Sequence, residues 1–186
     1  MADHPRVEIN LDKDFFRSAL RQQVLGRKIN AVVVYTGPLD QYFGHLLGRL
    51  GSRTLDFAFD HVPSNDFQGT TVVNEADRSV PHTRTIEFRH FRPDREVAPD
   101  QTVIAREFSR AAEAGDEPYY PINSADDRDR LRGYRGLAAA EPGVYFGGRL
   151  GTYKYLDMHM AIASALTLAD RVASDRGWNQ QSRHDS

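Results

Sequence analysis

Cysteine is absent from this sequence, and so are a strong net charge and any apolar run approaching bilayer length. The first absence excludes disulfides, thiolate metal sites and cysteine nucleophiles, and it suits a reducing compartment. A formal charge of −2 supplies no overall cationic field for nucleic acid or an anionic membrane surface. Any basic chemistry must therefore be local. The opening MADHPRVEIN lacks an apolar signal core, so the chain is expected to be cytoplasmic, without membrane insertion and without a nucleic-acid partner. Internal repeats, low-complexity tracts, a Walker loop, a G-x-S-x-G elbow, an H-E-x-x-H pair and the G-x-G-x-x-G spacing are missing too. The seven histidines fall at no metal-ligand spacing, and Asp157 and His159 cannot share a helix face. No metal is expected.

What remains has an ordinary globular balance. Over 186 residues, 40% are hydrophobic and 27% charged, enough for one domain, or one lobe of a larger protein, to bury a core. Val7, Ile9 and Leu11 alternate with polar neighbours and read as a half-buried strand. The run Ala31 to Tyr35 reads as a fully buried strand, ended by Thr36-Gly37-Pro38. Asp40 can cap a following helix, for which Tyr42, Phe43, Leu46, Leu47 and Leu50 supply an apolar face.

From Arg53 the period changes to two. Leu55, Phe57 and Phe59 alternate with Thr54, Asp56 and Asp60, and β-rich runs follow at Thr70 to Val73, Thr83 to Phe91 and Thr102 to Phe108. This series predicts an antiparallel sheet with one wetter face, interrupted by an exposed loop from Arg92 to Gln101. Ser124 with Asp127 resembles a capping box with Asp in place of Glu, and Leu131, Tyr134, Leu137 and Ala138 follow at helical spacing. A short strand at Val144 to Phe146, a glycine-rich loop and a long apolar helix from about Met158 to Ala173 complete the pattern. A polar tail closes it.

The strongest local signal is this last strand, loop and helix. Glycines let a backbone approach a ligand, a helix N-terminus offers free N–H groups, and Arg149 could add a forked donor to a phosphate. A tight strand-to-helix connection with a solvated arginine explains the same residues equally well. Tyr153 and Tyr155 carry neutral donors, but one of them suits the core, and Asp157 suits a helix cap. Tyr119 and Tyr120 sit on a proline-stiffened segment, which fits a ligand wall or a rigid loop. Arg84 opens a strand, where a surface arginine is the usual case.

Taken in order, VVVYTGPLDQYF (32–43), RTLDF (53–57), DFQGTTVVNEAD (66–77), VPHTRTIEFRHF (80–91), TVIAREFSR (102–110), EPYYPIN (117–123) and FGGRLGTYKYLDMHMAIASAL (146–166) resemble the C-terminal half of bacterial UDP-galactopyranose mutases. The resemblance implies a mixed α/β (α+β) fold: an antiparallel sheet of about five to six strands, plus a C-terminal strand–loop–helix that completes a Rossmann-like FAD domain. The implied division is 1–35 as the end of a sheet region and a strand entering the FAD domain, 36–122 as the antiparallel substrate- and flavin-facing sheet, 123–175 as helix, glycine-rich loop and C-terminal helix of the FAD domain, and 176–186 as polar tail.

It implies a flavoprotein isomerase of nucleotide sugars that uses FAD. The reaction interconverts UDP-galactopyranose and UDP-galactofuranose, and feeds galactofuranose biosynthesis and cell wall polysaccharide. By the same resemblance Arg84, Tyr119, Tyr120, Tyr155 and Asn74 bind substrate, with Arg84, Tyr155 and Asp157 catalytic. Gly148, Arg149, Leu156, Asp157 and Met158 contact the cofactor. The family's glycine-rich FAD loop and its helical domain have no counterpart among these residues, and His82 stands where tyrosine is usual. The chain alone is thus expected not to turn over substrate, and its partners are an N-terminal half supplied as a separate chain or a second copy in a homodimer. A sugar-nucleotide-binding module, or a fragment without flavin chemistry, is the alternative.

Overall fold

A computed structural model of the chain describes residues 4–5, 7–17, 32–95 and 100–178. The expectations placed on Ala31, on 96–99 of the charged loop and on the tail at 179–186 lie outside the described residues. Seven strands and four α-helices are defined among the described residues: β1 (Val33–Tyr35), α1 (Leu39–Tyr42), β2 (Ser52–Val62), β3 (Val72–Asn74), β4 (Arg84–Glu87), β5 (Thr102–Ala111), β6 (Tyr120–Pro121), α2 (Ala125–Ala139), β7 (Val144–Phe146), α3 (Gly148–Thr152) and α4 (Met158–Asp175). A short 3-10 helix, Phe88–Phe91, follows β4. No helix of the described residues is long and apolar enough to cross a membrane.

The strands form two sheets. One is antiparallel and five-stranded, in the order β3-β4-β5-β2-β6, and the other is the parallel pair β1-β7. The long β2–β5 ladder runs in unbroken register from Arg53 opposite Ala111 to Val62 opposite Thr102. Opposed residues share a face, so one face carries Arg53, Leu55, Phe57 and Phe59 with Ala105, Glu107, Arg84 and Tyr120. The other carries the Asp56–Arg110 and Asp60–Arg106 ion pairs, together with Glu87 and Thr102 buried near β4.

The wetter face is therefore the one with the ion pairs, yet the apolar stripe of β2 is also open. Phe57 and Phe59 are exposed and continue into Phe88 and Phe91, each ring 6.1–6.4 Å from the next.

The core lies beside the parallel pair rather than beneath the large sheet. Leu39, Leu50, Leu131, Tyr134 and Tyr153 form one cluster and Tyr35, Tyr42 and Val144 another, with Phe43 and Phe146 packed on both. Helix α2 starts as its sequence indicates. Asp127 N–H donates to the Ser124 hydroxyl at 3.1 Å, and the Asp127 carboxylate accepts from Ser124 N–H at 2.9 Å. Its other oxygen takes Gly51 N–H at 2.8 Å, which ties the helix to the start of β2. The buried Tyr134 hydroxyl accepts from Leu47 N–H and donates to the Gly48 carbonyl, fixing the intervening turn.

Several expectations are corrected. Val7, Ile9 and Leu11 are exposed and form no strand, because no described segment lies alongside to pair with them. Only Tyr35 is buried in β1, and Val34 is 52% exposed. Asp40 is not a cap: Pro38 holds that position, and the Asp40 carboxylate accepts Leu50 N–H at 3.0 Å instead. The helix after it spans four residues, since Gly44, His45 and Gly48 turn left-handed at φ of 60°, 57° and 87°. Leu46 and Leu47 are consequently exposed.

Burial, above all, pushes the Tyr35 and Tyr153 hydroxyls up to about 12. In the unfolded chain both ionise near 10.0. Their contribution to stability is thus complete below that pH and lost as pH rises toward the folded value. Urea unfolding across about pH 9 to 11 should show the midpoint falling, and Tyr153→Phe should flatten that fall.

Candidate functional site

An aromatic and cationic assembly stands where β6 meets the loop before α4. Pairing of β6 with β2 sets Tyr120 opposite Arg53, and Tyr119 N–H donates to the Arg53 carbonyl at 2.9 Å. The Tyr120 ring stacks on Tyr155 with centroids 5.9 Å apart and planes at 29°. The Arg149 guanidinium lies 5.7 Å over the Tyr120 centroid, a cation–π distance, and Tyr119 flanks Tyr120 at 6.5 Å. Tyr155 is 61% exposed, so its polar edge is available.

Tyr153 is the tyrosine of the pair that belongs to the core. It is buried in the left-handed conformation at φ 49°, and its hydroxyl accepts Asn123 N–H and donates to the Gly51 carbonyl.

A second cluster forms on the same face of the sheet. Asn74, Arg84 and Glu107 are cross-strand partners on β3, β4 and β5. Arg84 Nε–H donates to Asn74 Oδ1 at 3.1 Å, and Arg84 Nη1 lies 3.7 Å from Glu107 Oε2. Register carries Glu107 on to Phe57 and Tyr120 to Arg53. These two positions of β2 are four residues, or about 13 Å, apart along the strand. The structure thus brings Tyr119, Tyr120, Tyr155 and Arg149 into one group and Arg84 with Asn74 into another, both facing the same way.

The glycine-rich loop is held by the chain itself. A Cβ on Gly151 would stand 2.9 Å from the Tyr35 carbonyl, and one on Gly147 would meet Leu168 at 2.6 Å. The close approach of the Tyr35 carbonyl accounts for Gly151, whereas Gly147 faces only the end of a flexible leucine side chain. Gly148, at φ 71°, is the exception, with only ordinary contacts to Thr36. Asp157 occupies the N-cap position of α4 yet makes no side-chain cap bond, and its carboxylate is exposed. Leu156 is half-buried and Met158 is 86% exposed. These residues offer one cation, one open helix start and an apolar ledge. That suits the edge of a flavin nucleotide and leaves the rest of such a molecule to other groups.

Arg149 and Tyr153 line a cleft of about 280 Å3 with Pro118, Pro121 and Asp116. Tyr155 and Leu156 line an open groove of about 740 Å3 beside Arg128, Arg135 and Lys154. Asp66, Glu87 and His90 bring ligand-type atoms within 4.8 Å of one another. Phe67 and Gln68 N–H donate to Glu87, and Gly69 N–H donates to Asp66, so this group pins the loop between β2 and β3. Burial opposes ionisation of Glu87, but those backbone donors hold its carboxyl below the usual range.

A family model described as UDP-galactopyranose mutase matches residues 1–155. The chain belongs to that family. Among curated relatives it is 40% identical, over 94% of its length, to a probable UDP-galactopyranose mutase of Klebsiella pneumoniae, covering 43% of that protein. It is 32% identical over 91% of its length to the dTDP-fucopyranose mutase of Escherichia coli, covering 44% of it. With the UDP-galactopyranose mutase of Mycoplasma pneumoniae it shares 32% identity over 92% of its length and 44% of that protein.

The chain thus spans less than half the length of these mutases. The family match includes Asn74, Arg84, Tyr119, Tyr120, Gly148, Arg149 and Tyr155, and ends before Leu156, Asp157 and Met158. Sequence reasoning missed Glu107 and Arg53. Both occupy the alternating positions that share a face with Arg84 and Tyr120, but only the cross-strand register reveals it.

Proposed function

We propose that this chain carries the diphosphate-holding face of a flavin-dependent mutase that interconverts UDP-galactopyranose and UDP-galactofuranose. The observation behind this reading is the Arg149–Tyr120–Tyr155 stack, set on the same sheet face as Arg84. Arg84, Tyr120 and Tyr155 donate to the diphosphate oxygens, and Asn74 and Tyr119 shape the wall around them. As the bond from sugar to UDP breaks, charge grows on the diphosphate, and donors held in place strengthen with it. Asp157 holds the Tyr155 end of the site. Gly148, Arg149, Leu156, Asp157 and Met158 face one edge of FAD. The reduced flavin, when bound, supplies the nucleophile that accepts the sugar.

The relatives include a dTDP-sugar mutase, so the common requirement is a nucleoside diphosphate on a hexopyranose. UDP-galactose is the substrate proposed here. In this reading the β1–β7 pair extends a parallel sheet of a Rossmann-like FAD domain, residues 36–122 form the substrate and flavin-facing region, and the enzyme works in the cytoplasm. The exposed residues Val34, Met158, Ile162 and Leu166 form apolar surface that suits a complementary N-terminal portion or a second copy. A sugar-nucleotide-binding module is the second reading, favoured by the assembly of the tyrosine stack within this chain alone.

Incubation with FAD followed by desalting tests the cofactor half of the proposal. The 186 residues are expected to retain no flavin absorbance and to convert no UDP-galactofuranose with reduced FAD. Retained flavin with turnover would overturn that expectation.

A further inference from the structure

The buried carboxylate of Glu107 stands directly across the sheet from Arg84. Its residue is 6% exposed, on a face whose neighbouring residues include Phe57 and Ala105. A carboxylate in such surroundings needs polar partners, and it has two. The Thr83 hydroxyl lies 3.0 Å from both Oε1 and the Glu107 carbonyl and shares its one proton between them, while Oε2 lies 3.7 Å from Arg84 Nη1. Thr83 is itself locked, because its N–H donates to the Glu107 carbonyl at 2.7 Å. On the opposite side, Arg84 Nε–H is taken by Asn74 Oδ1 at 3.1 Å. The guanidinium is therefore bracketed in the order of the strands, with Asn74 on β3 and Glu107 on β5. Among the described residues, Arg84 Nη2 has no acceptor.

We infer that Glu107 is a positioning residue: together with Asn74 it fixes the Arg84 guanidinium across the sheet so that its free Nη2 edge is presented to a diphosphate. The inference rests on the proposed role of Arg84. Two effects of Glu107 oppose each other. Its charge repels an anionic ligand, whereas its contact with Nη1 removes rotational freedom that Arg84 would otherwise lose on binding. An arginine fork loses less freedom per hydrogen bond when held in advance. Orientation outweighs repulsion here because the arginine side chain is 39% exposed and is guided by side-chain partners rather than by packing.

The sign of one substitution separates these effects. Glu107→Gln keeps the shape and the acceptor for Thr83 but removes the charge facing Arg84. In the 15N-labelled full chain the Arg84 Nε–H signal, identified by its disappearance in Arg84→Lys, should be that of an ordered side chain. In Glu107→Gln it should move to the values of a mobile arginine, and UDP affinity should fall about tenfold. Thr83→Val, at an exposed position, frees the same carboxylate and should produce a smaller change in the same direction. This second variant decides the matter if the first does not fold. An unchanged Arg84 signal in both variants, or tighter UDP binding, would overturn the inference. If the unsubstituted chain binds no UDP, the diphosphate reading fails, while the Arg84 signal still decides whether Glu107 positions it.

Discussion

Replacing Asp127 by alanine is expected to lower the unfolding free energy by about 3 kcal/mol, read as a shift of the urea midpoint at unchanged slope. Asp127 is 2% exposed and accepts from Ser124 N–H, the Ser124 hydroxyl and Gly51 N–H. Loss of the capping box contributes roughly 1 kcal/mol, and leaving a buried donor unmet adds roughly 1–3. Burial works against ionisation of this carboxyl, but the Gly51 and Ser124 donors hold it below its ordinary 3.8. A lowered carboxyl contributes stability that is present above the unfolded value and lost as pH falls through the folded one. The wild type should therefore lose stability in acid, and Asp127→Ala should lose less.

Arg84→Ala should weaken UDP binding by about 10- to 100-fold. This follows from the roughly 1.5–3 kcal/mol carried by a hydrogen bond to a charged group. Stability should also fall, because the substitution removes one of the two partners of the buried Glu107 carboxylate. Arg84→Lys should recover only part of the loss. An ammonium keeps the charge but cannot bond Asn74 and the ligand in the fixed fork of a guanidinium. A titration of both variants by calorimetry, with unfolding curves alongside, separates lost binding from lost folding.

The elements governed by local physics were legible in the sequence. The Ser124–Asp127 box, the Leu131 and Tyr134 face of α2, the period-two run of β2 and the length of α4 all follow from spacing alone. The short α1 was not, because Gly44 and His45 turn left-handed directly after it and end a helix that the apolar spacing to Leu50 would have continued. Asp40 looked like a cap for the same reason, since the sequence could not show that Leu50 N–H returns to it.

Gly151 fitted a ligand loop and a tight connection equally well in the sequence, and its close approach to the Tyr35 carbonyl favours the second. The site residues were named by resemblance. Their grouping into a tyrosine stack and a bracketed arginine came from register, which pairs residues far apart in the chain. Glu107 stayed hidden because a lone acid in an apolar alternation carries no signal until its cross-strand partner is known.

A calorimetric titration of the full chain with UDP, run beside one with uridine, tests most directly whether this face holds a diphosphate. UDP is expected to bind at least about tenfold more tightly than uridine, with the difference lost in Arg84→Ala. Equal affinity for the two, or no binding of UDP, would contradict the account.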